Sequence, residues 1–190
     1  SERMLKAMGA GIETEEKGAG RIIRITGEIE LKPVDIKVPG DISSAAFPLV
    51  AAAIIPGSAL YLEGVGINPL RAGILDALAL MGAPVTISNE RMEGGEPVAD
   101  LLIEGPDHLQ AVDLDPAMAS LMIDEFPVLF IAASMADGVS RFTGLEELRV
   151  KESDRIAAMA AVLSAAGVEV EELPDGLIIT GHGRRRRPAG

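Results

Sequence analysis

The sequence predicts an α/β fold of repeated β-α-β-α-β-β units, with buried helices at the centre and mixed sheets outside. Three observations lead there. An Ala-rich apolar segment with an early proline and a closing glycine occurs twice, as Phe47-Pro-Leu-Val-Ala-Ala-Ala-Ile-Ile-Pro-Gly57 and as Phe126-Pro-Val-Leu-Phe-Ile-Ala-Ala-Ser-Met-Ala-Asp-Gly138. Each copy is followed by a strand pattern, a second helix pattern and two more strand patterns. A glycine beside alanine closes the second helix in both, Gly82-Ala83 and Ala166-Gly167, and Gly9-Ala10 supplies a third instance near the start of the chain.

In chain order, residues 1–8 read as a helix and 12–15 and 21–26 as strands, the closing part of one repeat. The chain enters that helix at Ser1 with no initiator methionine, as expected of a segment from a longer polypeptide. Residues 27–40 carry Pro33, Pro39 and an alternation of Glu28, Glu30, Lys32, Asp35 and Lys37, so they mark the best domain boundary. Residues 1–38 are expected to end one domain, and 39–183 to form two repeats of the next. Each of those repeats opens with a strand, at 34–38 and 111–114. In the first, a helix at 47–55, a strand at 58–63, a helix at 69–81 and strands at 85–88 and 99–104 follow. The second has a helix at 126–136, a strand at 139–143, a helix at 153–166 and strands at 169–172 and 176–180. Pro48 and Pro127 are expected in first turns, where the backbone lacks helical acceptors and a missing N–H costs little. Arg91-Met-Glu-Gly-Gly-Glu-Pro97 reads as a hairpin, since no helix follows to make it a phosphate loop.

The helices at 47–55 and 126–136 are apolar all round, which places them at the centre. Ile74, Leu75 and Leu78, and Ile156, Met159 and Leu163, have amphipathic spacing, as flanking helices should. One such unit cannot bury both faces of its helices, so copies must pack around shared ones.

The 190 residues are 48% apolar but only 3% aromatic, so the core is built from Ala, Leu, Ile, Val and Met. Absence of cysteine excludes a disulfide framework and thiolate metal sites, and fits a reducing cytoplasm. With only His108 and His182, both beside turn residues, no metal site is expected. A net charge of −12 argues against nucleic-acid partners and anionic membranes. Residues 118–136 are long and apolar enough to raise a membrane span, but Asp124, Glu125 and Pro127 lie inside, so they read as a loop feeding a buried helix. The one basic block, Arg184 to Arg187, reads as part of a flexible tail over 184–190.

The most informative stretch is Arg149-Val-Lys-Glu-Ser-Asp-Arg155, set at the mouth of a helix. A helix N-terminus offers unpaired N–H groups and a positive partial charge. Lys151 and Arg155 add full charges beside it and Glu152 adds a proton donor or acceptor, so anion binding with proton transfer is expected. On pattern alone a surface salt-bridge network fits as well. Arg149 reads either as a ligand or as a brace behind the site, and Glu146 and Glu147 as solvated or as balancing Arg149. Asp124, just before Pro127, is either a helix N-cap or a catalytic carboxylate. Ser43 and Ser44 read as caps of the first Ala-rich helix, and Arg71 as an ion-pair partner or a residue of the cleft.

The heptad resembles a signature of the 5-enolpyruvylshikimate-3-phosphate (EPSP) synthase family, 3-phosphoshikimate 1-carboxyvinyltransferases. Val38-Pro-Gly-Asp-Ile-Ser-Ser-Ala-Ala-Phe47, Gly66-Ile-Asn-Pro-Leu-Arg71 and Met122-Ile-Asp-Glu-Phe-Pro127 resemble that family in the same order, so the resemblance covers residues 1 to about 183. It implies a two-domain fold of six such units. Residues 1–38 would end the last repeat of the first domain, and 39–183 would be two of the three repeats of the second. It implies transfer of the enolpyruvyl group of phosphoenolpyruvate to the 5-hydroxyl of shikimate-3-phosphate, without metal or cofactor. Asp124 matches the carboxylate that meets the 5-hydroxyl, Lys151 a lysine at the hydroxyl and reacting centre, Glu152 the acid for the methylene carbon, and Arg155 an arginine on phosphoenolpyruvate.

Two departures stand out. Val162 replaces the Glu or Asn common in the family, and the Gly-Asn-Ala/Ser-Gly-Thr motif, its basic companions and the Asp-His-Arg segment are missing from these residues. The isolated chain is therefore expected to bind substrates weakly or not at all, and not to turn over. Helix faces left bare would be covered by the missing repeats of the parent chain or by a dimer. The alternatives are a UDP-N-acetylglucosamine enolpyruvyl transferase-like enzyme, against which the absence of cysteine and the heptad both count, and a non-catalytic repeat module that binds a partner protein.

Overall fold

The repeat appears as two sheets with the same strand order. The structure, a computed structural model, describes residues 2–18 and 20–183; the basic tail expected over 184–190 lies outside them. Helix α1 (Glu2–Ala7) leads into an antiparallel hairpin of β1 (Ile12–Lys17) and β2 (Gly20–Ile25). The first full repeat comprises α2 (Ile42–Ala53), β3 (Ala59–Gly66), α3 (Gly73–Leu80), β4 (Val85–Glu93) and β5 (Glu96–Glu104). The second begins with the short helical turns Pro116–Met118, α4 (Ala119–Met122) and Ile123–Glu125. It continues through α5 (Phe126–Ser134), β6 (Asp137–Phe142), the turn Glu146–Arg149, α6 (Arg155–Ala165), β7 (Glu169–Leu173) and β8 (Gly176–His182). The sheets run β3-β5-β4 and β6-β8-β7, first, third, second in both cases, and their strands pair antiparallel.

The marker glycines have one physical role. Gly9, Gly82 and Gly167 adopt φ of 94°, 84° and 80°, a region that costs glycine nothing. Each closes a helix in a six-to-one turn: Ala10 N donates to Leu5 O at 2.9 Å, Ala83 N to Leu78 O at 2.9 Å, and Val168 N to Leu163 O at 3.0 Å. That shared stop is why the repeat is legible in the sequence.

Helices α2 and α5 pack against each other and share one apolar core with both sheets, as expected of central helices. Phe126 and Phe130 of α5 and Phe142 of β6 form a buried aromatic triad with ring centroids 5.2 to 6.1 Å apart. The segment Pro116–Ser134, apolar enough by length and composition to cross a membrane, is thus core-forming here, with Leu129, Phe130, Ala132 and Ala133 inaccessible to solvent. Its first part is a series of short helical turns rather than the expected loop.

Three expectations need correction. The opening strands do not form. Pro33 and Pro39 flank 34–38, and only Gly40 makes a parallel bridge, to Val65. In the second repeat Gln110 and Asp113 bridge Asp137 and Arg141, but the Ser140 hydroxyl takes the intervening Val112 N–H at 3.1 Å and breaks the ladder. These bridges are the parallel component of otherwise antiparallel sheets. Second, α2 starts before Phe47, because Asp41 caps it by accepting from Ser44 N at 2.9 Å. Ser43 and Ser44 lie inside the helix, and Pro48 falls in its interior, leaving the Ser44 carbonyl without its helical donor. Third, Asp124 caps nothing in α5, whose N-cap residue is Glu125.

The hairpin expected at Gly94 and Gly95 joins β4 to β5, and the sheet bulges on both sides of Asp100. That buried carboxylate accepts from Gly64 N at 2.8 Å, Tyr61 Oη at 2.9 Å and Asn89 Nδ2 at 2.8 Å, and pairs with Arg91 at 3.3 Å. Asn89 first, then the Gly64 amide, hold it well below the usual carboxylate range. One residue of the central strand thereby fixes the irregularities of both neighbours.

Candidate active site

The heptad bends between the turn Glu146–Arg149 and α6. Asp154 takes extended geometry and caps α6, accepting from Ala157 N at 2.9 Å, which makes Arg155 the first helical residue. The Ala157 amide keeps the Asp154 carboxyl below its ordinary range, against partial burial.

Arg149 faces away from the cleft. It pairs with Asp154 at 2.8 Å and Glu172 at 3.0 Å and donates to the carbonyls of Leu173 and Pro174. It is the brace of the two expected readings, joining the α6 cap to the β7–β8 turn. The carboxylates that balance it are these two, not Glu146 or Glu147.

Lys151, Glu152 and Arg155 meet Asp124 on one surface. Arg155 Nη1 lies 3.2 Å from Asp124 Oδ1, Lys151 Nζ 3.7 Å from the same oxygen, and Arg155 Nη2 2.6 Å from Glu152 Oε2. Glu147 pairs with Lys151 at 2.5 Å. Together with Ser43, Ser44 and Phe47 of α2, these four residues line an open cleft of about 430 Å³. Two cations face two carboxylates there, so the positive charges are paired within the protein, with Glu147 holding Lys151 from outside.

The pairing sets protonation. The Glu147 hydrogen bond raises Lys151 above its ordinary value, and the Glu152 bond does the same for Arg155, so both remain cations. Glu152, 82% exposed at the lip, is held below its usual range by its own backbone N–H and by Arg155, and is therefore ionised at neutral pH. Among the described residues no three His, Asp or Glu gather as a metal site.

Arg71 lines two neighbouring cavities, of about 380 and 50 Å³, rather than this one. It pairs with Asp41 at 3.8 Å and donates to Ser43 Oγ at 3.2 Å, so it is an ion-pair partner just behind the cleft. Sequence reasoning named two further carboxylates without their settings. Glu147 was findable from its four-residue spacing to Lys151. Glu125, only 4% exposed, carried a weaker signal, a second carboxylate inside an apolar run.

Two pseudo-repeated α/β units around shared helices, with acid and base groups at a helix mouth, define a class. The enolpyruvyl transferase NikO from Streptomyces tendae has the same fold, at TM-score 0.60 and 19% identity over 94% of this chain and 38% of that one. A family model described as EPSP synthase (3-phosphoshikimate 1-carboxyvinyltransferase) matches residues 1–189, and this chain belongs to that family. A 3-phosphoshikimate 1-carboxyvinyltransferase from Granulibacter bethesdensis is 55% identical over 185 residues, 96% of this chain and 40% of the relative. One from Zymomonas mobilis is 58% identical over 181 residues, covering 95% and 40%. The EPSP synthase of Acinetobacter baumannii superposes at TM-score 0.89 with 48% identity, covering 96% of this chain and 40% of that structure. The chain thus spans about 40% of the length of these relatives.

Proposed function

We propose that this chain carries one half of the active site of a 3-phosphoshikimate 1-carboxyvinyltransferase, which joins phosphoenolpyruvate to the 5-hydroxyl of shikimate-3-phosphate and releases phosphate. Residues 1–38 would end its first domain and 39–183 form two repeats of its second. One observation carries the reading: Asp124, Lys151, Glu152 and Arg155 line one cleft, with Asp124 against both cations.

Adding an alcohol across an enol double bond needs one group to take the hydroxyl proton and another to protonate carbon. Asp124 takes the 5-hydroxyl proton as that oxygen bonds to C2 of phosphoenolpyruvate, and Glu152 delivers a proton to the methylene carbon. In the elimination both groups act in reverse: Glu152 takes a methyl proton back and Asp124 gives its proton to the departing phosphate, which restores the double bond. Lys151 and Arg155 hold the substrate anions and stabilise charge as it develops.

The paired charges suit a cleft that waits for anions. A phosphate or carboxylate on Arg155 and Lys151 would displace Asp124 and Glu152 from them. Freed from Arg155, Glu152 loses one of the contacts that keep it ionised, so its pKa rises and it more readily carries the proton it must deliver. The cytoplasmic setting of a soluble biosynthetic enzyme fits the cysteine-free sequence.

Substrate contacts that the resemblance places in other repeats are not among these 190 residues. The isolated chain is therefore expected to release no phosphate from shikimate-3-phosphate and phosphoenolpyruvate. Sustained release would overturn the half-site reading. Calorimetric titration with shikimate-3-phosphate, with Lys151→Ala and Arg155→Ala as controls, measures what affinity this half retains.

A further inference from the structure

We propose that Arg149 and Asp175 are positioning residues for Lys151 and Glu152: they fasten the loop that carries those two side chains to the β7–β8 turn, at its entry and at both ends of its bend. The inference rests on the reading above only in taking Lys151 and Glu152 to face the substrate.

The bend, residues 150–153, has neither helix nor strand, and Val150 is 80% exposed. Packing does not hold it, so its ends must. Arg149 Nη1 spans it by donating to Asp154 at 2.8 Å, which joins the residue before the bend to the cap of α6. The same guanidinium reaches the end of β7 and the turn beyond it. It donates to Glu172 at 3.0 Å and to the carbonyls of Leu173 and Pro174. Asp175 holds the entry of the loop. Its carboxylate accepts from Gly144 N at 2.9 Å and its backbone carbonyl from Leu145 N at 2.8 Å. On its other side Gly144 abuts Pro116, the first residue of the helical turns that lead to Asp124: a Cβ at Gly144 would lie 2.9 Å from Pro116 Cβ. The β7–β8 turn therefore stands behind the loop and, through Gly144, behind the approach to Asp124.

The first repeat shows that the fold itself does not require this fastening. Its corresponding loop, residues 67–72 between β3 and α3, meets the start of β5 through Ile67 N to Pro97 O at 2.9 Å and Asn68 Nδ2 to Glu96 at 3.2 Å. The arginine of that loop, Arg71, turns to Asp41 and Ser43 and not to the β4–β5 turn. Ala72, at the N-cap position of α3, has no side chain with which to cap. The second repeat adds a cap, a carboxylate on the turn and an arginine fork that joins them. The addition falls on the loop that carries Lys151 and Glu152. Reacting groups need such support, because a misplacement of about 1 Å costs orders of magnitude in rate.

The test needs no ligand. In this chain, NMR relaxation gives backbone order parameters for residues 150–153, with residues 67–72 as the internal control. A fastened bend should read about 0.85 in the parent chain. Arg149→Lys keeps the charge but loses the fork, and the values at 150–153 should fall below about 0.6. Asp175→Ala should lower them less, since the backbone carbonyl at that position still accepts from Leu145 N. Asp175→Asn, whose amide oxygen can accept from Gly144 N, should match the parent chain. Residues 67–72 should respond to none of the three. A brace that serves stability alone would lower Tm and leave the bend as ordered as in the parent chain, which would overturn the proposal. So would an equal loosening at 67–72, or an Asn variant as loose as the Ala variant. Should Arg149→Lys fail to fold, the two Asp175 variants decide it. No substrate is present, so a wrong assignment of the reaction would leave these results untouched.

Discussion

Replacing Phe126 with alanine tests whether the turn bearing Asp124 hangs from the core. Phe126 follows Asp124 by two residues, is 2% exposed, and meets Phe130 and Phe142 with centroids 6.0 and 6.1 Å away. Removing a ring from such a site costs about 3–5 kcal/mol, transfer and cavity combined. The ring contacts are part of that figure and do not add to it. A typical domain holds about 5–15 kcal/mol in all, so the loss is a large share. For a chain of this length it corresponds to a fall in Tm of about 10 °C. Phe47 is the internal control. It has the same side chain in the matching helix of the other repeat, but is 61% exposed in the cleft, and its alanine variant should cost less than about 1 kcal/mol. Urea denaturation of both variants measures the difference. Equal costs, or a Phe126→Ala variant within about 1 kcal/mol of the parent chain, would mean that α5 does not begin in a packed core.

Other perturbations have definite signs. Because burial raises the Glu125 carboxyl above its unfolded value, the folded chain holds that proton longer, and stability falls as pH rises from the ordinary glutamate range through the folded pKa. Glu125→Gln should remove that decline, gaining stability at neutral pH and none in acid, as thermal melts across pH will show. Asp154 has the reverse sign: its depressed pKa gives stability present above the ordinary aspartate range and lost as pH falls through the folded value. Asp154→Asn should flatten that acid limb. A Cβ at Gly176 would run into the Phe142 carbonyl oxygen. Gly176→Ala should therefore cost about 3 kcal/mol, the upper part of the overpacking range, in the same urea assay.

The repeat was legible because its punctuation is chemical. Gly82 and Gly167 stop helices by a mechanism only glycine performs freely, and the Ala-rich runs admit few environments other than a helical core. The heptad was legible because five charged residues crowd one helix mouth. Element boundaries were less so. Phe47-Pro48 looked like a helix start, whereas the cap belongs to Asp41, whose bond to Ser44 is a local event that a proline in the helix interior disguises. The second opening strand was misread because the Ser140 hydroxyl takes the Val112 N–H, a contact between residues far apart in sequence, while the first lies between Pro33 and Pro39. Glu125 gave only a weak signal, a second carboxylate inside an apolar run, and that alone does not say that it is buried.

The half-site reading is tested most directly by titrating the isolated chain with shikimate-3-phosphate and following backbone amides by NMR. Weak binding is expected, with shifts concentrated at Ser43, Ser44, Asp124, Lys151, Glu152 and Arg155 and abolished by Lys151→Ala. Shifts centred elsewhere on the molecule, or an undiminished response in Lys151→Ala, would contradict it.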